Sequence, residues 1–225
     1  MTATSPSATI AERVEIMQRD TVAHLPADAL AAFTADQARM VSLGVPAGVA
    51  TPGFTFPDTE LLDIHGASTT LAATQAGRPA VLVFYRGAWC PYCNVALRSY
   101  QADLLPTLAD RGVELIAVSP QKPDGSLTAR ESNELSYTVV SDPGNQLARA
   151  LGVVTEHGEA AKAAQLGLGL DVAQVNADGT HELPMPTVAL VDAAGVLRWI
   201  DVRADYSTRT EVPEILTALA ILDRG

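Results

Sequence analysis

Apolar and polar residues change period several times along the chain, and the changes mark its elements. Ala80 to Tyr85 is an unbroken apolar run of strand length, the pattern of a strand covered on both faces. A four-residue link, Arg86-Gly87-Ala88-Trp89, separates it from Leu97, Tyr100, Leu104 and Leu108. Their three- and four-residue spacing marks one face of a helix, which Pro106 is expected to end or kink. Val113 to Val118, Tyr137 to Val140 and Thr187 to Val191 read as further strands. Val196 to Val202 pairs back on the last of these across the turn Asp192-Ala193-Ala194-Gly195. Helices are predicted over Asp124–Leu135, capped by Asp124 or Ser126, and over Gln146–Leu151, closed by Gly152. A last helix runs from Glu211 to Leu222, with Ile215, Leu219 and Leu222 on one face.

Upstream, residues 1–8 read as disordered, and Ile10, Val14 and Met17 have helical spacing. A second helix is predicted from Pro26 to about Met40, with Leu30, Phe33 and Ala38 inward. These two helices cap the core or make a dimer contact. Residues 45–53 form a linker by their Pro and Gly content. Phe54–Asp58 and Leu61–Ile64 read as two short strands, followed by the turn His65-Gly66. Residues 153–180 are the least regular stretch, with a helix over 156–166 and a loop over 167–171. A stretch of that kind in a compact domain is often functional or an insertion. Strands alternating with helices predict an α/β sandwich around a mixed central sheet. The expected organisation is an N-terminal helical extension, residues 1–48, followed by one domain over 49–225.

At 225 residues and 48% hydrophobic, the chain can bury a substantial core. No apolar run approaches the roughly 18 residues of a membrane span, and Met1 to Thr9 has neither a basic nor an apolar leader pattern. A cytoplasmic protein without membrane partners is expected. A formal charge of −11 argues against nucleic acid and anionic lipid as partners. The only cysteines, Cys90 and Cys93, exclude a disulfide framework. His24, His65, His157 and His181 are scattered without metal-ligand spacing, so no metal is expected. No Gly-x-Gly-x-x-Gly suggests an organic cofactor.

The chemistry concentrates in Cys90-Pro91-Tyr92-Cys93, at the junction of the apolar strand and the helix. Pro91 suits a first helical position, where its missing N–H costs nothing. Cys90 then sits at a helix N-terminus, whose unpaired N–H groups and dipole favour an anion. Its thiol pKa is expected to fall below the free value. Cys93 lies about one turn later and can close a disulfide with it. A Cys90 thiolate can attack a peroxide oxygen, giving a sulfenic acid that condenses with Cys93, or a disulfide sulfur, giving a mixed disulfide that Cys93 resolves. Arg86 is placed either to stabilise the thiolate or to face solvent, and Trp89 either to shield the site or simply to pack.

The segment Phe84-Tyr-Arg-Gly-Ala-Trp-Cys-Pro-Tyr-Cys93 resembles the active-site segment of the thioredoxin-like superfamily. Thr51-Pro-Gly-Phe-Thr-Phe-Pro-Asp58 and Ser141-Asp-Pro-Gly144 with the helix after it resemble peroxiredoxins, the alkyl hydroperoxide reductase and thiol-specific antioxidant group. The similarity in element order covers roughly residues 49–222. It implies a thioredoxin-like fold and a peroxidase reducing hydrogen peroxide or alkyl hydroperoxides. It also implies an external thioredoxin-, glutaredoxin- or glutathione-like reductant. Pro186-Thr187 resembles the superfamily's cis-proline loop, which implies a cis Met185–Pro186 bond beside the cysteines. A branch of the group with Tyr-Arg-Gly-x-Trp-Cys-Pro-x-Cys also carries Asp-Tyr-x-x-Arg, here Asp205 to Arg209, making Arg209 a candidate at the site against the plainer reading of a surface ion pair. Peroxiredoxins carry Pro-x-x-x-Thr-x-x-Cys, whereas counting back from Cys90 gives Gly87 for the threonine and Val83 for the proline. Cys-Pro-Tyr-Cys is also the glutaredoxin tetrad, which keeps a thiol–disulfide oxidoreductase in play beside the peroxidase, and a non-enzymatic redox sensor beside both. A homodimer is compatible with each.

Overall fold

The computed structural model describes residues 8–22 and 24–224. The predicted disorder over 1–8 lies, Ala8 apart, outside the described residues. The chain opens with α1 (Ile10–Val22) and α2 (Ala27–Leu43), then β1 (Glu60–Leu62), β2 (Ser68–Thr70) and α3 (Leu71–Gln75). Next come β3 (Ala80–Phe84), α4 (Pro91–Ser99), α5 (Leu105–Asp110), β4 (Glu114–Ser119), α6 (Pro123–Ser132), β5 (Thr138–Ser141) and α7 (Gln146–Leu151). The segment expected to be irregular holds β6 (Val154–Thr155), α8 (Glu159–Gly167) and α9 (Val172–Val175). The chain closes with β7 (Leu183–Pro184), β8 (Thr187–Val191), β9 (Leu197–Val202), α10 (Val212–Ala218) and a 3₁₀ turn over Leu219–Arg224.

Seven strands form one mixed sheet in the order β2-β1-β5-β4-β3-β8-β9, with β6 and β7 paired separately. β3 is parallel to β4 and antiparallel to β8, so the most apolar strand is also an inner one. Its side chains alternate between two cores, as the two-residue period of a strand requires. Val81, Val83 and Tyr85 join the layer that holds both cysteines, while Ala80, Leu82 and Phe84 face the other layer. All five β3 residues are buried, which explains why the run shows no polar alternation. Leu97, Tyr100, Leu104 and Leu108 are all fully buried, as their spacing predicts. Each such apolar side chain contributes about 1.5–3 kcal/mol by leaving water. Among the described residues no helix is long and apolar enough to cross a membrane.

Several expectations are corrected. Of the end or kink expected at Pro106, the helix after Cys90 shows no end there. It widens over Tyr100–Leu104, where the Leu105 N–H bonds the Tyr100 carbonyl five residues back, and α5 then starts with Pro106 in its first turn. A proline has no N–H for the carbonyl four residues back and its ring crowds that oxygen, and the wider turn precedes it. Phe54–Asp58 is not a strand: Thr55 makes one isolated bridge to Val196, and Phe54 and Phe56 hydrogen-bond around the β8–β9 turn. The true hairpin is β1 with β2. Asp124 lies inside the first turn of α6 and bonds the Gly125 N–H, with Lys122 in the capping position.

The face of α2 is also rotated from the predicted one. Ala29, Asp36 and Met40 are buried, Leu30 and Phe33 are half-buried, and Ala38 is exposed. The apolar reading missed this because a carboxylate occupies the middle of the buried stripe. The N-terminal helices pack closely onto the rest of the chain. Glu211 accepts hydrogen bonds from the free N–H groups of Ile10 and Ala11 at 2.9 and 2.8 Å, capping α1 from the far end of the sequence. The Phe33 carbonyl accepts from the Tyr206 hydroxyl at 2.9 Å, and Gln37 donates to Asp205 at 2.9 Å. Thus α1 and α2 brace the loop between β9 and α10.

Candidate active site

β3 delivers Arg86 and the link that follows, and α4 begins at Pro91 with Cys90 as its N-cap in an extended conformation. Gly87 makes the turn between them at φ 152°. A Cβ there would lie 2.4 Å from the Trp89 indole nitrogen and 3.1 Å from Gln121 Oε1, so the link closes only around a glycine. Gln121, two residues beyond β4, holds the link by accepting from the Ala88 N–H at 2.9 Å and donating to the Tyr85 hydroxyl at 2.9 Å.

Both thiols are buried, at 0% and 1% exposure, and not joined in a disulfide. Two arginines converge on them. Arg86 Nη2 donates to Cys90 Sγ at 3.3 Å, and the Arg86 backbone N–H points at Cys93 Sγ at 3.5 Å. Arg209 Nη2 lies 3.1 Å from Cys93 Sγ and 3.9 Å from Cys90 Sγ. The Arg209 fork is itself held by the Tyr206 and Thr208 carbonyls, at 2.7 and 2.6 Å. Burial opposes ionisation of Cys90, but the Cys93 thiol donating to it and the two guanidiniums outweigh burial and hold it well below the usual thiol range. Cys93 moves the opposite way, pushed well up by burial and by the charge it supports on Cys90. The pair is therefore asymmetric: a thiolate at the helix N-cap and a neutral thiol one turn on.

His157 and Asp36 stand behind Arg86. Its Nη1 donates to His157 Nε2 at 2.8 Å, and His157 Nδ1 lies 2.6 Å from Asp36 Oδ2. Asp36 also accepts from the Gly158 N–H at 2.9 Å and from Arg39 at 2.8 Å. The guanidinium sits 4.4 Å from the centroid of the Tyr206 ring and 5.2 Å from that of Trp89. Cation–π contacts of this kind strengthen as water is excluded.

The structure thus brings together Cys90, Cys93, Arg86 and Arg209, and Trp89 packs half-buried against the same layer and beside Arg86. Arg209 is not in a surface ion pair; it is 8% exposed and turned toward the sulfurs. Pro186 is the exception. Among the described residues no peptide bond is cis, so Met185–Pro186 is trans. The chain bends at Pro186 between β7 and β8, with the Met185 N–H bonded to the Val153 carbonyl and the Pro186 carbonyl accepting from the Arg203 N–H at 2.9 Å. A trans bond is the ordinary preference of an X–Pro pair. Pro186 lines a cavity of about 10 Å³ with Arg86, His157 and Tyr206, room for about one water, on the Arg86 side of the site.

Asp36, Gln121, His157 and Tyr206 complete the site without being candidates from sequence. Tyr206 lies inside Asp-Tyr-x-x-Arg, a signal that was available. His157 is one of four scattered histidines and carries no local signal. Asp36 was detectable only as a charge at seven- and four-residue spacing from Ala29 and Met40.

Comparison with known proteins agrees with this geometry. Escherichia coli peroxiredoxin Bcp is 29% identical over 107 residues, covering 48% of this chain and 64% of its own length. Chloroplastic peroxiredoxin Q of Triticum aestivum is 28% identical over 131 residues, covering 58% and 59%. The chain therefore spans less than two thirds of the length of these relatives. Among solved structures, peroxidoxin BcpB from Mycobacterium tuberculosis matches with a TM-score of 0.55 at 21% identity, covering 77% of this chain and 96% of that one. Reduced Prx3 from Vibrio vulnificus in complex with hydrogen peroxide matches with a TM-score of 0.61 at 21% identity, covering 76% and 99%. These likenesses establish the thioredoxin-like peroxiredoxin fold. The model of the AhpC/TSA family matches residues 52–200, about two thirds of the chain, and the protein belongs to that family.

Proposed function

We propose that the chain is a thiol-dependent peroxidase. The observation that carries this is the buried thiol pair under two guanidiniums, at 3.3 Å to Cys90 and 3.1 Å to Cys93. The Cys90 thiolate attacks one peroxide oxygen; the O–O bond breaks, and its electron pair leaves on the distal oxygen as hydroxide or alkoxide, which takes up a proton. Arg86 and Arg209 lie where that negative charge develops, the role given elsewhere to preorganised donors. They stand in for the threonine hydroxyl that Gly87 cannot supply. The sulfenic acid on Cys90 then condenses with the Cys93 thiol, releasing water and leaving a Cys90–Cys93 disulfide. An external dithiol, or two monothiols of a thioredoxin-, glutaredoxin- or glutathione-like system, reduces it again.

Burial favours this reading over a protein disulfide reductase. A peroxide of a few atoms needs only a narrow path to a thiol of 0% exposure, whereas a protein disulfide needs the sulfur at the surface. Regeneration then calls for the start of α4 to open after oxidation. A reducing, cytoplasmic setting suits two free thiols and belongs to the same proposal. So does the division at residue 48, supported by the start of the family match at residue 52.

The test is one preparation assayed with hydrogen peroxide, with an alkyl hydroperoxide, and with insulin or a mixed glutathione disulfide. Peroxide turnover with an added thiol system is expected, abolished in Cys90→Ser. Peroxide treatment should also leave the tryptic peptide spanning residues 87–98 lighter by two hydrogens. Peroxide consumption no faster than that of free cysteine, with brisk disulfide reduction, overturns the reading.

A further inference from the structure

The Asp36–His157 pair is buried, comes from two segments outside the strand–helix unit that bears the cysteines, and touches the thiols only through Arg86. Its hydrogen bonding permits one arrangement. Arginine is always protonated and only donates, so His157 Nε2 must be the acceptor and its proton must sit on Nδ1. The Asp36 carboxylate, accepting from Nδ1–H at 2.6 Å, selects that tautomer. Asp36 is in turn fixed by the Gly158 N–H and by Arg39, which also reaches the Glu156 carbonyl at 3.0 Å. With one amino group of the fork anchored on His157, the other points at Cys90 Sγ at 3.3 Å.

We propose that Asp36 and His157 are positioning residues for the thiol chemistry, with His157 held as the Nδ1–H tautomer so that its Nε2 aims Arg86 at Cys90. The inference rests on the reading of Cys90 as the attacking thiolate and adds what sets its reactivity. It assigns a task to α2 and to the loop after β6: they supply the two residues that orient a guanidinium belonging to the core. Protonation of His157 would remove the acceptor and set two cations against each other. The groups facing the imidazole are Asp36 from α2, Arg86 from the link after β3, the Tyr206 ring at a centroid distance of 5.4 Å from the loop before α10, and the Cys90 thiolate beyond Arg86. Arg39 acts through Asp36, and the neighbouring Glu156 carboxylate is turned to Lys162 at 2.9 Å.

The experiment measures Cys90 alkylation against pH in the Cys93→Ser protein, with thermal melting of each variant. Asp36→Asn is the discriminating change. Simple electrostatics says that removing a negative charge near a thiolate lowers its midpoint. The proposed relay says the reverse: an amide can donate to Nδ1, which moves the imidazole proton to Nε2, donor against donor at Arg86. The expected result is an upward shift of about one pH unit, a tenfold loss of thiolate below the midpoint. His157→Ala should shift it upward likewise and serves if Asp36→Asn does not fold. His157→Gln, whose amide can accept from Arg86 and donate to Asp36, should recover most of the shift. A low midpoint in the Cys93→Ser parent that stays put or falls in folded Asp36→Asn and stays put in His157→Ala overturns the relay while leaving the peroxidase reading intact. A parent midpoint near the free-thiol value overturns both.

Discussion

Replacing Arg209 by methionine tests how much of the thiol reactivity is electrostatic. The side chain is buried, and its Nη2 lies 3.9 Å from Cys90 Sγ. Two unit charges at that separation attract by about 4 kcal/mol at an effective dielectric of about 20. Much of this is offset by the cost of desolvating both ions, and a hydrogen bond to a charged group nets about 1.5–3 kcal/mol. Arg86 remains at 3.3 Å in the variant, so the lower figure applies, about one pKa unit. The midpoint of Cys90 alkylation in the Cys93→Ser protein should therefore rise by about one unit. Because a more basic thiolate is also more nucleophilic, with a Brønsted slope of about 0.45, the two pH–rate curves should cross. Well below both midpoints Arg209→Met should react about threefold more slowly, and well above both about threefold faster. Arg209→Lys keeps the charge but loses the fork that the Tyr206 and Thr208 carbonyls hold, and should fall between. An unchanged midpoint in a variant that melts normally would refute the role of Arg209 in stabilising the thiolate.

Stability should fall on mild acidification. Burial and Arg86 hold the His157 pKa below its usual value, so the unfolded chain takes up a proton first once the pH drops through about 6.5. The loss is at most about 1.4 kcal/mol per pH unit until the folded protein also protonates, and urea midpoints at pH 7.5 and 5.5 will measure it. His157→Gln should flatten the decline, and an equal decline in that variant would refute the assignment. Gly87→Ala should cost about 1–3 kcal/mol, because φ 152° is unfavourable with a side chain and the new Cβ meets the Trp89 ring. A urea midpoint equivalent to less than 0.5 kcal/mol of change, on the order of a neutral surface substitution, would refute that strain.

The sheet was legible wherever local pattern and global position agree. Ala80–Phe84 is apolar because both its faces are covered, and Cys90 lies at a helix start because Pro91 follows it. What the sequence did not disclose depends on contacts between distant segments. The inner face of α2 was misplaced because Asp36 is buried against His157, a pairing across 121 positions that no periodicity encodes. Arg209 was a candidate only through its Asp-Tyr-x-x-Arg resemblance, and its local sequence left a surface ion pair open; the fold places it against Cys93 across 116 positions. The trans bond before Pro186 accompanies backbone hydrogen bonds from Met185 to Val153 and from Arg203 to Pro186, distant partners that a two-residue motif does not show.

The dispersal of the site has a consequence for the life of the chain before it is folded. Asp36, Arg86 with Cys90, His157 and Arg209 come from four separate stretches of the chain. A nascent or locally unravelled chain therefore presents two thiols with the near-neutral chemistry of free cysteine, mostly protonated at pH 7 and slow toward oxidants. On the proposed relay, reactivity requires the loop carrying Arg209, tied to α2 by the Tyr206–Phe33 bond, to be in place and His157 to stand behind Arg86. The expected consequence is that an incompletely folded molecule, whose thiols lack both guanidiniums, is poorly oxidised.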